Sequence, residues 1–343
     1  MNNQKILIVG GAGFVGSNLA HFILNTFDVK ELLIVDNLLS ADPLNVPISS
    51  KVKMILGSIT NDHILNTLPN DLDYVFHLSC YHGNQSSIVN PLEDHENNSL
   101  TSLKLFNRLK DIKTLKKVVY SAAGCAVAKK TYGEATPTDE DSTISLFHDS
   151  PYSMSKLIGE MYGNYFYSQF ELPFVKARFQ NIYGPREILG AGQWRGTINT
   201  VWRNVTPTFI WKALKGEPLQ LEANGESSRD FIFVEDVVRG LVACALKGKN
   251  GESYNLASGV ETKILNLAEL IIELTGSKSE LILKPQRKWD NSGTRFGSTE
   301  KSKNEIDFEA QISLKKGLSQ TVEWTKSNKK YIQQCIDKHN IFL

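Results

Sequence analysis

The feature that most limits what this chain can fold into is a strand, a glycine turn and a helix in immediate succession. Ile6-Leu7-Ile8-Val9 is a short β-rich run, Gly10, Gly13 and Gly16 follow at once, and Phe14 to Phe27 is amphipathic at helical spacing. A second apolar run, Leu32 to Val35, completes a βαβ unit. A turn without β-carbons at a helix N-terminus lets backbone N–H groups approach a pyrophosphate closely. Asp36 ends the second run about 20 residues beyond Gly16, the position from which a carboxylate bonds the adenosine ribose hydroxyls. It would repel a 2′-phosphate, and Asn37-Leu38-Leu39-Ser40 contain no arginine or lysine to receive one. The dinucleotide expected is therefore NAD, not NADP.

Further strand-like runs at Val52 to Leu56, Tyr74 to Leu78, Lys117 to Tyr120 and Phe174 to Ala177 alternate with helix-like stretches. That alternation implies an α/β doubly wound parallel sheet (Rossmann) with both faces covered. A length of 343 residues fits roughly two domains. Beyond residue 180 the pattern changes: Gly184 to Gly196 is rich in glycine, proline and charge, with Trp194, Trp202 and Trp211 nearby. Phe231 to Val234 reads as a strand and Val237 to Leu246 as a helix, together a return to the sheet. The expectation is an NAD-binding domain over 1–180 and 229–260, with a smaller, discontinuous mixed α/β substrate domain over 181–228 and 261–343.

The 38 basic and 37 acidic residues leave a net charge of +1, which gives no basic footprint for nucleic acid or an anionic membrane surface. No run approaches the roughly 20 apolar residues that span a bilayer, and Ile6 to Val9 is too short for a signal-peptide core, so a cytoplasmic protein is expected. Cys80, Cys125, Cys244 and Cys335 are scattered, with no C-x-x-C pair or cysteine and histidine cluster, so neither disulfides nor a metal site is expected.

Pro151-Tyr152-Ser153-Met154-Ser155-Lys156 opens a helix-like stretch, and the i, i+4 spacing puts Tyr152 and Lys156 on one face. Alone this is a common surface pair. Downstream of a dinucleotide fingerprint it reads as a base and its supporting cation. A phenol with an ordinary pKa of about 10 must then work near pH 7, a difference worth about 4 kcal/mol. A neighbouring ammonium and the nicotinamide cation favour the phenolate. Tyr152 would take the proton from a hydroxyl as hydride leaves its carbon, and Lys156 would also hold the nicotinamide ribose.

With these residues the chain resembles the extended short-chain dehydrogenase/reductase family, specifically its nucleotide-sugar epimerases and dehydratases. The likeness runs nearly end to end. It includes Gly-Gly-Ala-Gly-Phe-Val-Gly at 10–16, Asp36-Asn37, His77-Leu78-Ser79-Cys80, Asn98, Arg178 to Arg186, Arg229 to Val237 and Tyr254-Asn255-Leu256. By this resemblance Gly10, Gly13, Phe14, Val15, Gly16, Asp36, Asn37, Ser58, Ile59, Leu78, Asn98, Tyr152 and Lys156 form the cofactor site. Asn98 supports the tyrosine and lysine pair, and Asn181 and Arg229 contact the substrate diphosphate. A turn asparagine, a solvated arginine and a helix-surface asparagine are the ordinary alternatives.

The departures carry information too. The family places a serine or threonine after the central strand, where it hydrogen-bonds the reacting hydroxyl; here the aligned residue is Ala123. Ser121 lies two residues early and Cys125 is a weak donor. The 4,6-dehydratases follow that position with an Asp-Glu pair, but Gly124-Cys125 stands here, which argues against dehydration. Ser58 replaces the aspartate that reads the adenine amino group. His82 aligns with a position facing the sugar, where it partly replaces the lost hydroxyl or is an ordinary polar wall residue.

Glu187 to Thr206, with Arg195, Trp202, Arg203 and Asn204, is longer than most members need and either shapes the nucleotide-sugar pocket or makes an oligomer contact. Trp194-Arg195-Gly196 and Arg203-Asn204-Val205-Thr206-Pro207 resemble bacterial capsule-pathway enzymes, among them the GDP-manno-heptose C4 dehydrogenases. The resulting expectation is NAD-dependent oxidation of a nucleotide-sugar hydroxyl at C4, GDP-heptose being one substrate the likeness suggests. His82, Asn181, Arg195 and Arg229 would face the substrate. A 4-epimerase and a noncatalytic NAD-binding protein are the alternatives. The helices expected over about Pro91 to Asp111 and Tyr152 to Phe170 would pair in a homodimer or a dimer of dimers, as in the family.

Overall fold

The computed structural model describes residues 1–124, 135–290 and 293–343. Seven parallel strands form the central sheet: β1 (Lys5–Val9), β2 (Glu31–Asp36), β3 (Val52–Leu56), β4 (Tyr74–His77), β5 (Lys117–Ala123), β6 (Phe174–Phe179) and, after two strands of a second sheet, β9 (Ser253–Leu256). Their spatial order is β9-β6-β5-β4-β1-β2-β3. The chain winds outward in one direction from β1 through β2 and β3, then in the other from β4 onward. The order reverses between β1 and β4, and a doubly wound sheet opens a crevice at that point, beyond the strands' C-terminal ends.

Alternation along the strands explains both covering layers. Ile6, Ile8 and Ile34 face α1 (Phe14–Thr26), while Leu7, Val9, Val75 and Val118 face the opposite layer, with α2 (Thr101–Leu109) and α3 (Pro151–Phe170). Each fully buried aliphatic side chain contributes roughly 1.5–3 kcal/mol, so burial on both faces fixes the sheet firmly. Helix α3 begins where Ser150 accepts the Ser153 N–H at 3.4 Å and Pro151 takes the first helical position.

The smaller part contains a three-stranded sheet of β7 (Asn181–Tyr183), β8 (Ser228–Phe233) and β10 (Glu261–Lys263), with β8 parallel to β7 and antiparallel to β10. A core of Phe209, Ile210, Phe231, Phe233, Leu267, Ile271 and Leu318 joins it to α4 (Val205–Lys215) and the C-terminal helices. One sequence expectation is corrected here. The strand containing Phe231 does not return to the central sheet, because its register is with β7 and β10; the following α5 (Val234–Lys247) does return, packing Val237, Val238 and Leu241 on the central core. The chain passes between the halves abruptly: only Gln180 separates β6 from β7, β8 runs straight into α5, and four residues join β9 to β10.

The stretch expected as one helix from about Pro91 to Asp111 is interrupted. Pro91–Asp94 is α-helical, His95–Leu100 is a wider π-turn, and α2 follows. Among the described residues no helix is long and apolar enough to cross a membrane.

Candidate active site

A cleft of about 690 Å³ lies at the reversal point, between the C-terminal ends of the strands and the smaller part. Gly10, Gly13, Phe14, Val15 and Gly16 line it from the turn after β1, and Asp36 and Asn37 from the end of β2. Ser58 and Ile59 line it after β3, Leu78 and His82 after β4, Tyr152 and Lys156 from α3, and Asn181 and Arg229 from the smaller part. Residues nearly 220 positions apart in the sequence thus meet on one surface.

The glycine turn fits a dinucleotide on geometric grounds. Gly10 has a φ of +84°, and a β-carbon there would lie 2.5 Å from the Ser79 backbone nitrogen; one at Gly16 would lie 2.2 Å from the Gly10 oxygen. Only glycine lets the turn close against β4 and α1 start at once. Asp36 accepts the Ala12 N–H at 3.0 Å and the Leu38 N–H at 2.8 Å, which fixes its carboxylate at the cleft wall. Burial pushes its pKa up despite these bonds. The buried Ser40 hydroxyl, on the same cleft, has no hydrogen-bond partner among the described residues, which suits it to a polar ligand. Ser58 is placed as expected, but its hydroxyl oxygen already accepts the Thr60 N–H at 3.2 Å and meets Thr60 Oγ1 at 2.8 Å.

Lys156 Nζ donates to the Ser121 carbonyl at 2.9 Å and lies 3.3 Å from its hydroxyl; it is 5.9 Å from the Tyr152 ring centroid. Burial pushes Lys156 down and pushes the Tyr152 phenol well up, Cys80, Tyr120 and Asp94 adding to the latter. The protein alone therefore does not favour the phenolate, contrary to the simple expectation of an ammonium lowering a nearby phenol. Burial outweighs an ammonium that is engaged with β5. His82 meets Tyr152 edge-on at 6.0 Å between ring centroids. Ala123 lines the cleft where the family's hydroxyl would stand, with Gly124 beside it; Cys125 lies outside the described residues.

Two expected site residues do not reach the cleft wall. Asn98, carried inward by the π-turn, accepts the Tyr81 N–H at 2.7 Å and donates to Asp94 at 2.7 Å and Ser155 at 3.2 Å. It holds α3 from behind through Ser155, between Tyr152 and Lys156, without lining the cleft. Arg195 is buried behind His82, donating to the His82 carbonyl at 2.6 Å. Its place follows from the positive-φ turn at Gly196, which carries the chain inward against Asn90.

Arg229 is held by the Ser228 and Gly293 carbonyls at 2.6 and 2.9 Å, with Asp290 at 4.0 Å. Its neighbour Asp230 turns inward and accepts from Ser258 and Gly259, bracing the base of that wall. Sequence reasoning missed Ser86, a fully buried serine on the cleft whose hydroxyl has no partner among the described residues. A serine within the short helix Asn84–Val89, followed by another, carries no pattern that would have marked it.

A doubly wound sheet with a glycine fingerprint, an aspartate at the end of the second strand and a tyrosine and lysine pair at one cleft defines a nicotinamide-dependent enzyme of the short-chain dehydrogenase/reductase type. The chain belongs to the NAD dependent epimerase/dehydratase family, whose profile matches residues 6–257. The Bordetella bronchiseptica enzyme WbmF, solved in complex with NAD+ and UDP, is 56% identical with a TM-score of 0.91, covering 100% of this chain and 98% of that one. UDP-glucose 4-epimerase of Thermotoga maritima, solved with UDP-glucose, is 29% identical with a TM-score of 0.83, covering 95% and 99%. A putative UDP-glucose 4-epimerase of Methanocaldococcus jannaschii is 28% identical over 327 residues, 94% of this chain and 99% of that protein. The chain is thus an NAD-dependent enzyme of the nucleotide-sugar epimerase/dehydratase group.

Proposed function

We propose that the chain oxidises the C4 hydroxyl of a UDP-linked sugar to a ketone. The observation that carries this reading is the placement of Tyr152 and Lys156 in the same cleft as Asn181 and Arg229. Gly10 to Gly16, Asp36 and Lys156 would hold NAD, and Asn181 and Arg229 the diphosphate. When bound, NAD supplies the acceptor for the hydride that leaves C4. Tyr152 takes the hydroxyl proton as the C4–O bond becomes double. Lys156, fixed by Ser121, supplies positive charge that, with the nicotinamide cation when NAD is bound, favours the Tyr152 phenolate that accepts the proton. On this reading residues 1–180, with α5 and β9, serve the cofactor, and 181–233 and 261–343 the nucleotide sugar. The UDP and UDP-glucose of the solved neighbours favour uridine over the guanosine suggested by capsule-enzyme likeness.

Net oxidation is the leading outcome, because Ala123 offers no hydroxyl to support two configurations at C4. The epimerase relatives favour a second reading, in which the ketone is reduced again on its other face. Incubation of the purified protein with NAD and a panel of UDP-sugars separates them. Accumulating NADH with a product two mass units lighter, the loss of H₂, supports oxidation; a mixture of C4 epimers without NADH supports the second reading. Neither outcome with any UDP-sugar would remove the reading.

A further inference from the structure

The cleft wall beside Tyr152 carries more positive charge than the proposed reaction uses. Arg203 lines this wall, its Nη1 donating to the Ser40 carbonyl at 2.9 Å and its Nη2 to the Ala191 carbonyl at 2.5 Å, while its Nε has no partner among the described residues. These bonds hold the guanidinium in one place but leave its charge unneutralised. His82 lies within electrostatic reach of Arg195, Arg203 and Lys156 together, and burial with these cations holds it neutral, its pKa down to about 3. Against the three cations stand Asp94 beside Lys156 and Glu187 beside Arg203. Glu187 is itself pushed up to about 7 by burial, so its carboxyl is only partly ionised at neutral pH. It accepts from Asn204 through one oxygen, while the other is buried without a partner among the described residues.

A cation held out of water without a full counter-charge is costly, and proteins keep such arrangements where a ligand completes them. We propose that Arg203 and the wall around His82 receive a carboxylate on the sugar, making the preferred substrate a nucleotide-linked sugar acid. The inference rests on the reading that C4 of a UDP-sugar faces Tyr152. In a hexose the carbon next to C4 bears C6, which in a sugar acid is the carboxylate. A ring held with its C4 hydroxyl at Tyr152 can thus direct an anionic C6 group toward the wall whose His82 ring lies 6.0 Å from the tyrosine ring. A guanidinium and a carboxylate form strong charge-assisted hydrogen bonds, whereas the hydroxymethyl of the neutral sugar supplies no counter-charge. The pyrophosphate of the dinucleotide is the other anion that could use Arg203, and the test separates the two.

UDP, UDP-glucose and UDP-glucuronate are titrated calorimetrically into enzyme saturated with NADH, in which the sugar is not oxidised. The two sugars differ only at C6. UDP-glucuronate should bind at least tenfold more tightly than UDP-glucose. Arg203→Gln should bring the two within about twofold while leaving UDP affinity unchanged. Glu187→Gln removes the competing acid and should widen the preference, which keeps the test open if the arginine variant does not fold. Equal affinities in the wild type, or an unchanged preference in Arg203→Gln, overturn the proposal. So does a loss of NAD affinity in Arg203→Gln with the preference intact, which assigns the arginine to the dinucleotide. Failure of UDP itself to bind overturns the UDP-sugar reading instead.

Discussion

Lys156 points its ammonium at the Ser121 carbonyl, 2.9 Å away on the central strand, so the cation beside Tyr152 is positioned by the sheet. Tyr152 and Lys156 share the first turns of α3, and β5 adds a second anchor for the lysine alone. Tyr152→Phe should lower turnover by at least the roughly 10² associated with a positioned base, with UDP affinity within about twofold of wild type. Single-turnover NADH formation with whichever UDP-sugar the wild type oxidises, alongside calorimetry with UDP, checks this. A wild-type rate in the variant would dismiss Tyr152 as the base.

Asp36 lines the cleft with its carboxylate fixed by two backbone N–H groups. NAD should bind at least about tenfold more tightly than NADP, and Asp36→Ala should narrow the ratio by weakening NAD and tolerating the 2′-phosphate. Fluorescence titration with the reduced dinucleotides reads it directly. Comparable affinities in the wild type would contradict the assignment.

His77 and His82 are both held neutral with pKa values lowered to about 3, chiefly by burial. The folded values lie below the unfolded value near 6.5, so below that pH the unfolded chain takes up protons the folded chain refuses. Their contribution is present above pH 6.5 and is lost as pH falls toward 3, each histidine giving a slope of up to about 1.4 kcal/mol per pH unit. Urea denaturation across pH 7 to about 5 should show this decline, and His82→Asn should reduce proton uptake on unfolding by about one. An unchanged pH slope in that variant would show that His82 titrates normally.

Glu160 on α3 and Arg178 on β6 form a buried pair through two hydrogen bonds of 2.9 and 2.8 Å, and Arg178 also donates to the Glu140 carbonyl at 2.6 Å. Removing one partner strands a buried charge, so Glu160→Ala should cost about 3–5 kcal/mol of stability and Glu160→Gln less. A loss below about 1 kcal/mol on denaturant unfolding would show that water replaces the carboxylate.

Met154, Met161 and Tyr165 lie along one side of α3 and are 49%, 61% and 53% exposed, with Leu92 at 83% on the neighbouring segment. This stripe accords with a homodimer through α3. Light scattering at micromolar concentration should give twice the chain mass, and Met161→Glu should shift the species toward monomer. A monomeric wild type would mean that the stripe has another use.

The NAD-binding half was legible because its chemistry is local: Gly10, Gly16 and Asp36 announce themselves by spacing, and β1 to β6 by apolar runs bounded by turns. The strand containing Phe231 was misplaced because an apolar run shows that a strand is buried but not which neighbour it pairs with. Arg195 was read as a substrate contact because sequence shows that an arginine exists but not that the turn at Gly196 carries it behind His82. Ser86 was missed since its lack of a partner is a property of three-dimensional packing alone. The balance between burial and the Lys156 charge at Tyr152 likewise depends on how far the ammonium is drawn toward β5.

The chain passes between the halves three times, at Gln180, at Phe233 to Val234 and between β9 and β10, so the two parts are tied at three points rather than one. The distance from Asp36 to Tyr152, and from Tyr152 to Arg229, is then a built dimension, like the gap of a spanner cut to one size of nut. Ligands meet jaws already set. Glu187 and Arg203 lie on a segment outside the central sheet that lines the same cleft, so that segment can vary without altering the strands that carry the glycine turn and Lys156's anchor.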